Sequence, residues 1–155
     1  MTSVTATLRI GADCERVFNA FVDEVDQWWG RGIQYRSARH AMLRFEPGPK
    51  GALIEDLGEG RLHTLGRVVA WEPPSRILLE WRLKNFAADE TTEVEVRFEA
   101  LGRETRVSIE HRGLSLLRKD HPARHGEGDP AFEIRSGRWW REILSFLRKR
   151  IEGHG

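Results

Sequence analysis

The sequence predicts an α+β fold in which a curved antiparallel sheet of about six to seven strands wraps around a long C-terminal helix, with two short helices after the first strand. Three observations carry this expectation. Val94, Val96, Phe98 and Ala100 alternate with charged residues, as do Val107, Ile109 and His111 with polar ones, which is the period of half-buried strands. Pro73-Pro74 divides an apolar stretch into two strands, because proline has no N–H to donate inside a sheet. After Asp129-Pro130, residues Phe132, Ser136, Trp139, Trp140, Ile143, Leu147 and Ile151 recur on one helical stripe.

The elements follow in order. Val4, Ala6, Leu8 and Ile10 alternate with Thr5, Thr7 and Arg9, which predicts a first strand ended by Gly11. Asp13 stands where an N-cap belongs, and Val17, Phe18, Phe21, Val22, Val25, Trp28 and Trp29 follow at spacings of three and four, as one amphipathic helix or two in succession. Residues 33–39 are ambiguous. Residues 41–46 read as a short strand stopped by Pro47-Gly48-Pro49, and residues 52–57 as another. Gly58-Glu59-Gly60 turns the chain into a strand over 62–71, and a further strand covers 77–83. Leu101 to Glu104 makes a hairpin between the two clearest strands. Residues 113–129 are polar and read as a long loop. Asp129 as N-cap and Pro130 as first helical residue then open the last helix.

At 155 residues the chain has the length of one domain, 1–155, with one core. A hydrophobic share of 39% against 32% charged residues describes an ordinary globular chain rather than a disordered one. Net charge of +1 creates no field towards nucleic acid or anionic lipid, so neither is expected as a partner. A lone cysteine, Cys14, and an N-terminus without an apolar signal segment lead to the expectation of a cytoplasmic protein.

Several motifs fit one known family. The chain carries Trp28-Trp29 after the first helix, Gly51 followed by Glu55, the turn GRVVAWEPPSR over 66–76, TEVEVRF over 92–98 and EHRG over 110–113. In these it resembles the activator of Hsp90 ATPase homologue 1-like proteins, bacterial members included, of the START/Bet v 1-like (SRPBCC) superfamily. The resemblance runs in register over nearly the whole chain. It departs at Gly30, where a proline often follows the tryptophan pair, at Lys50, and at Gly137-Arg138-Trp139-Trp140 in the last helix. The resemblance implies a helix-grip fold with a ligand-binding cavity between sheet and helix.

Candidate site residues are few. Glu55 shares a strand face with Leu53 and Leu57, an odd place for a carboxylate. Facing a cavity it is a buried acid able to move protons; otherwise it pairs with an arginine such as Arg67. His111 ends the apolar series of Val107 and Ile109, where it either orients a ligand or sits in the core bonded to a carbonyl. Six tryptophans are many for this length, and of these Trp81 and Trp140 fall on inward stripes. The candidate ligand-binding set is Glu55, Trp81, Phe98, His111 and Trp140, with Glu55 and His111 as catalytic candidates. His40, His63, His111, His121 and His125 lack metal-site spacing, so no metal and no other cofactor is expected.

Three functions remain open. The first is a cytoplasmic module that binds a hydrophobic or amphipathic small molecule. The second is a cyclase- or hydrolase-like enzyme with Glu55 and His111 as acid and base. The third is an Hsp90-type chaperone cofactor, although the eukaryotic activator has a separate Hsp90-binding domain for which this chain has no room. An exposed edge strand near the N-terminus leaves a homodimer open as well.

Overall fold

The computed structural model describes residues 3–82, 91–113 and 128–153. Residue 83 of the strand expected over 77–83, and residues 114–127 of the expected loop, His121 and His125 among them, lie outside these. The elements run β1 (Ser3–Ile10), α1 (Cys14–Asp23), α2 (Val25–Trp28), β2 (Met42–Glu46), β3 (Ala52–Gly58), β4 (Arg61–Glu72), β5 (Arg76–Trp81), β6 (Thr92–Leu101), β7 (Glu104–Arg112) and α3 (Asp129–Glu152). All seven strands form one antiparallel sheet in the order β1-β7-β6-β5-β4-β3-β2.

Local chemistry sets the element ends. The Asp13 carboxylate accepts the Arg16 backbone N–H at 2.8 Å and caps α1. The amphipathic segment divides into two helices at Glu24, and the chain turns extended at Trp29 (φ −65°, ψ 133°). Gly51 can be nothing but glycine, because a Cβ there would stand 1.8 Å from the Glu46 carbonyl oxygen. Asp129 is not the cap of the last helix: Gly128 holds that position and α3 begins at Asp129, with proline in its first turn. A proline in the first turn lacks an N–H that would have no partner within the helix, so the helix can start there without a side-chain cap.

One face of the sheet is the core. Ile77, Leu79 and Trp81 of β5, Val94, Val96 and Phe98 of β6, and Val107 and Ile109 of β7 are all buried. Helix α1 lays Phe18 and Phe21 on Phe98, with ring centroids 5.1 and 5.7 Å apart. Trp71 and Phe45 extend this group towards β4 and β2.

Helix α3 runs alongside β1 and in the same direction. Gly137 lies against Val4, where a Cβ would come within 3.3 Å of its Cγ1, and the Glu152 carboxylate accepts the Gly11 N–H at 2.8 Å. The helix therefore covers the edge strand and turns Trp140, Ile143, Leu144 and Leu147 into the core.

The outer face is charged but not uniformly wet. Glu95, which alternates outward with Glu93 and Arg97, is only 3% exposed. Arg76 and Arg97 donate to its Oε2 at 2.5 and 2.9 Å, and Arg112 to its Oε1 at 2.9 Å. Three guanidinium groups hold this carboxyl down to about 2, although its burial alone would raise it.

Candidate functional site

The ends of β5, β6 and β7 converge under α3 at Trp81, Thr92 and His111. Trp140 of α3 donates its indole N–H to His111 Nδ1 at 3.0 Å. An indole nitrogen only donates, so Nδ1 carries a lone pair and the proton of the neutral ring is on Nε2. Nε2 lies 2.7 Å from Thr92 Oγ1 and donates to it, and the threonine hydroxyl passes its own proton to the Trp81 carbonyl at 3.3 Å. Both ring nitrogens are thus engaged. Burial pushes the imidazole down to about 3, so it is neutral throughout the physiological range.

Four tryptophans surround this thread. The Trp81 and Trp140 rings meet edge to face at 5.4 Å, and Trp139 meets Trp140 at 4.8 Å. Trp29 stacks on Trp81 at 6.3 Å and touches Trp139 and Trp140 at 6.0 and 6.2 Å. Sequence reasoning placed Trp81 and Trp140 on inward stripes. Trp29 and Trp139 belong to the same cluster; Trp28 packs on Trp29 at 5.3 Å and on Phe21 at 5.2 Å, and so joins the cluster to the group of Phe18, Phe45 and Trp71.

Phe98 is not brought to this cluster. It lies six residues along β6 from Thr92, about 20 Å at the rise of a strand, among the phenylalanines of α1.

Glu55 is 1% exposed, opposite Leu43 and His63 in the middle of β3. Its partner is not Arg67. Ser37 donates its backbone N–H to Oε2 at 2.6 Å and its hydroxyl to Oε1 at 2.5 Å. Strands β4, β5 and β6 separate Glu55 from the strand of His111, and the two side chains share no hydrogen-bond partner.

Ser37 belongs to a segment, residues 30–41, that crosses from α2 to β2. Its neighbour Arg36 was invisible to sequence reasoning, yet its side chain is fully buried. All five guanidinium N–H groups are used: Nε on the Gly30 carbonyl, Nη1 on the Asp26 carboxylate and the Ala41 carbonyl, Nη2 on the Asp26 and Trp29 carbonyls, between 2.6 and 3.0 Å. Asp26 also accepts the Leu43 N–H, and these bonds hold its carboxyl below the usual range against the opposing effect of burial. Farther out, the Tyr35 hydroxyl donates to Glu142 at 2.6 Å, and Trp139 donates its N–H to the Gln34 carbonyl at 2.8 Å. This segment straps the tryptophan cluster to α3.

Among the described residues no group of three or more His, Cys, Asp and Glu side chains could hold a metal ion. No helix among them is long and apolar enough to cross a membrane.

Comparison with known proteins agrees with the architecture. Residues 12–136 match the family described as activator of Hsp90 ATPase homolog 1-like protein. No curated protein matches the chain. Among solved structures, the anthrahydroquino-gamma-pyrone synthase Txn09, complexed with SUM, is 26% identical over 96% of each chain with a TM-score of 0.62. An HSP90 activator from Plasmodium falciparum is 18% identical, with a TM-score of 0.67 over 100% of this chain and 99% of that one. The Aha1 dimer from Colwellia psychrerythraea is 17% identical, with a TM-score of 0.65 over all of both chains. The last two share the helix-grip fold and carry nothing further. The family match covers most of the chain, and the protein belongs to the activator of Hsp90 ATPase homologue 1-like family.

Proposed function

We propose that this protein binds a hydrophobic or amphipathic small molecule where β5, β6 and β7 meet α3. The observation that carries the reading is the cluster of Trp29, Trp81, Trp139 and Trp140 around a single neutral histidine. Small-molecule sites are mostly aromatic and apolar, with a few placed polar groups that orient the ligand. The polar groups within this cluster are His111 and Thr92, whose hydrogen bonds to Trp140 and to the Trp81 carbonyl hold the aromatic walls in position. The synthase that is 26% identical to this chain is itself complexed with SUM, which supports a ligand in this fold.

Binding fits the polar geometry better than acid–base catalysis. Glu55 gives both oxygens to Ser37, and His111 gives both nitrogens to Trp140 and Thr92, so neither is poised towards the other. A role in the cytoplasm goes with this reading, supported by the single free thiol of Cys14.

Native mass spectrometry of freshly purified protein, set against its denatured mass, tests the proposal. Extra mass that leaves on denaturation is the expected result. A bare mass together with unchanged tryptophan emission on titration with neutral polycyclic aromatics and fatty acids would overturn it.

A further inference from the structure

We propose that residues 30–41 are the gate to the tryptophan cluster, and that Glu55 is the positioning residue that holds the gate shut through Ser37. The inference rests on the small-molecule reading above and says how the molecule reaches its site.

The strap is fastened at two adjacent residues that point to different elements. Arg36 ties it to the end of α2 and to Ala41, with every donor of its guanidinium satisfied by the chain. Ser37 ties it to β3 through both Glu55 oxygens. Glu55 is buried, and among the described residues its polar contacts are these two alone, with no cation beside it. A buried carboxylate that loses its donors is costly, so Ser37 is drawn back whenever it leaves.

The outer half of the strap is held more lightly. Residues 31–35 reach α3 through the Tyr35–Glu142 and Trp139–Gln34 hydrogen bonds, both at the surface, and through the edge of Tyr35 on Phe146. Ile33 at its tip is 75% exposed, and Gly32 has the positive φ of 95° that lets the chain fold back there. Trp29 sits at the root of the strap with its indole N–H on the Tyr35 carbonyl at 3.0 Å. Lifting residues 31–35 therefore breaks the contacts that fix Trp29 and Trp139, two of the four walls of the cluster.

Two measurements on the intact protein test this, in Glu55→Gln, Ser37→Ala and Tyr35→Phe variants. The first is hydrogen exchange without ligand. Losing a hydrogen bond to a charged group should speed exchange at residues 31–38 by about tenfold to a hundredfold, while β6 and β7 keep the wild-type rate. The surface variant Tyr35→Phe should confine the change to residues 31–35. The second is stopped-flow uptake of Nile red, a neutral apolar probe. Both association and dissociation should accelerate in the variants, with the equilibrium affinity changed less than either rate.

Exchange that is unchanged at 31–38 in all three variants, or accelerated equally across the sheet, overturns the latch. Accelerated exchange with unchanged Nile red rates leaves the binding reading standing and overturns the gate. Wild-type protein that takes up no Nile red, nor any probe in native mass spectrometry, overturns the binding reading and the gate with it, while the exchange data still decide whether Glu55 holds the strap.

Discussion

Trp140 and His111 are joined by a hydrogen bond from indole nitrogen to Nδ1, 3.0 Å long, and that bond fixes the histidine as the Nε2–H tautomer. A second proton on the ring would have to displace the indole. Burial holds the imidazole of the folded state near 3, against 6.5 for an ordinary histidine.

The consequence is acid sensitivity with a defined window. A base depressed by folding binds its proton more readily in the unfolded chain, so folding stability falls as pH drops below 6.5 and stops falling near 3. The slope from this group alone is about 1.4 kcal/mol per pH unit inside the window. His111→Gln keeps an acceptor for the Trp140 N–H but does not titrate. Urea denaturation between pH 7 and pH 4 should show a steep decline in the wild type and a flatter one in the variant; parallel declines would sink the assignment.

Glu95 supplies a second window with the opposite chemistry. Its folded value is lowered to about 2 from 4.5, so its contribution is complete above 4.5 and is lost as pH falls towards 2. Glu95→Gln should therefore remove stability at pH 7 and have almost no effect at pH 2. The cost is about 1–3 kcal/mol, because Arg76, Arg97 and Arg112 are partly exposed and can turn to water once the carboxylate is gone. A variant as stable as the wild type at pH 7 would mean that the arginines merely shield the strand.

Arg36 has no such escape. Its side chain is fully buried on the Asp26 carboxylate and four backbone carbonyls. Arg36→Met fills the space but leaves Asp26 and those carbonyls short of donors, a loss of about 3–5 kcal/mol by the usual cost of breaking a buried pair. Thermal unfolding monitored by tryptophan emission reads this directly. A shift no larger than that of an exposed arginine, such as Arg148→Met, would contradict the role assigned to Arg36.

The sheet was legible because alternation is a local signal. Val94, Val96 and Phe98 announce their face without knowledge of any other strand. Glu55 was legible as an anomaly for the same reason, a carboxylate in step with Leu53 and Leu57. Its partner was not, because Ser37 lies 18 residues away in a segment without period. Arg36 resembles any other arginine until the chain end of α2 and Ala41 are brought around it. Trp29 was hidden differently. It follows Trp28 directly, with the two rings 5.3 Å apart, and only the folded chain brings Trp81 and Trp139 to it as well. Burial of Glu95 depended on sheet order, which sets Arg76 and Arg112 on either side of β6.

Gly30 offers the sharpest test of how the strap meets α3. A Cβ at this position would stand 2.5 Å from Phe146 Cε2 and 2.7 Å from the Tyr35 ring, both of them side chains in contact with each other. The Gly30 carbonyl also accepts from Arg36 Nε at 3.0 Å, so the backbone cannot retreat without loosening the guanidinium. Gly30→Ala must therefore move the aromatic pair. Overpacking of this kind costs about 1–3 kcal/mol. Since the methyl pushes on Tyr35, the Tyr35–Glu142 hydrogen bond should break first, and with it the rise that Glu142 imposes on the phenol. Spectrophotometric titration of the single tyrosine reads that rise in isolation. The expected result is a Tyr35 phenol returned towards its ordinary value in Gly30→Ala, together with a lowered melting temperature. An unaltered titration in a destabilised protein would place the strain on Phe146 alone and leave the strap where it is.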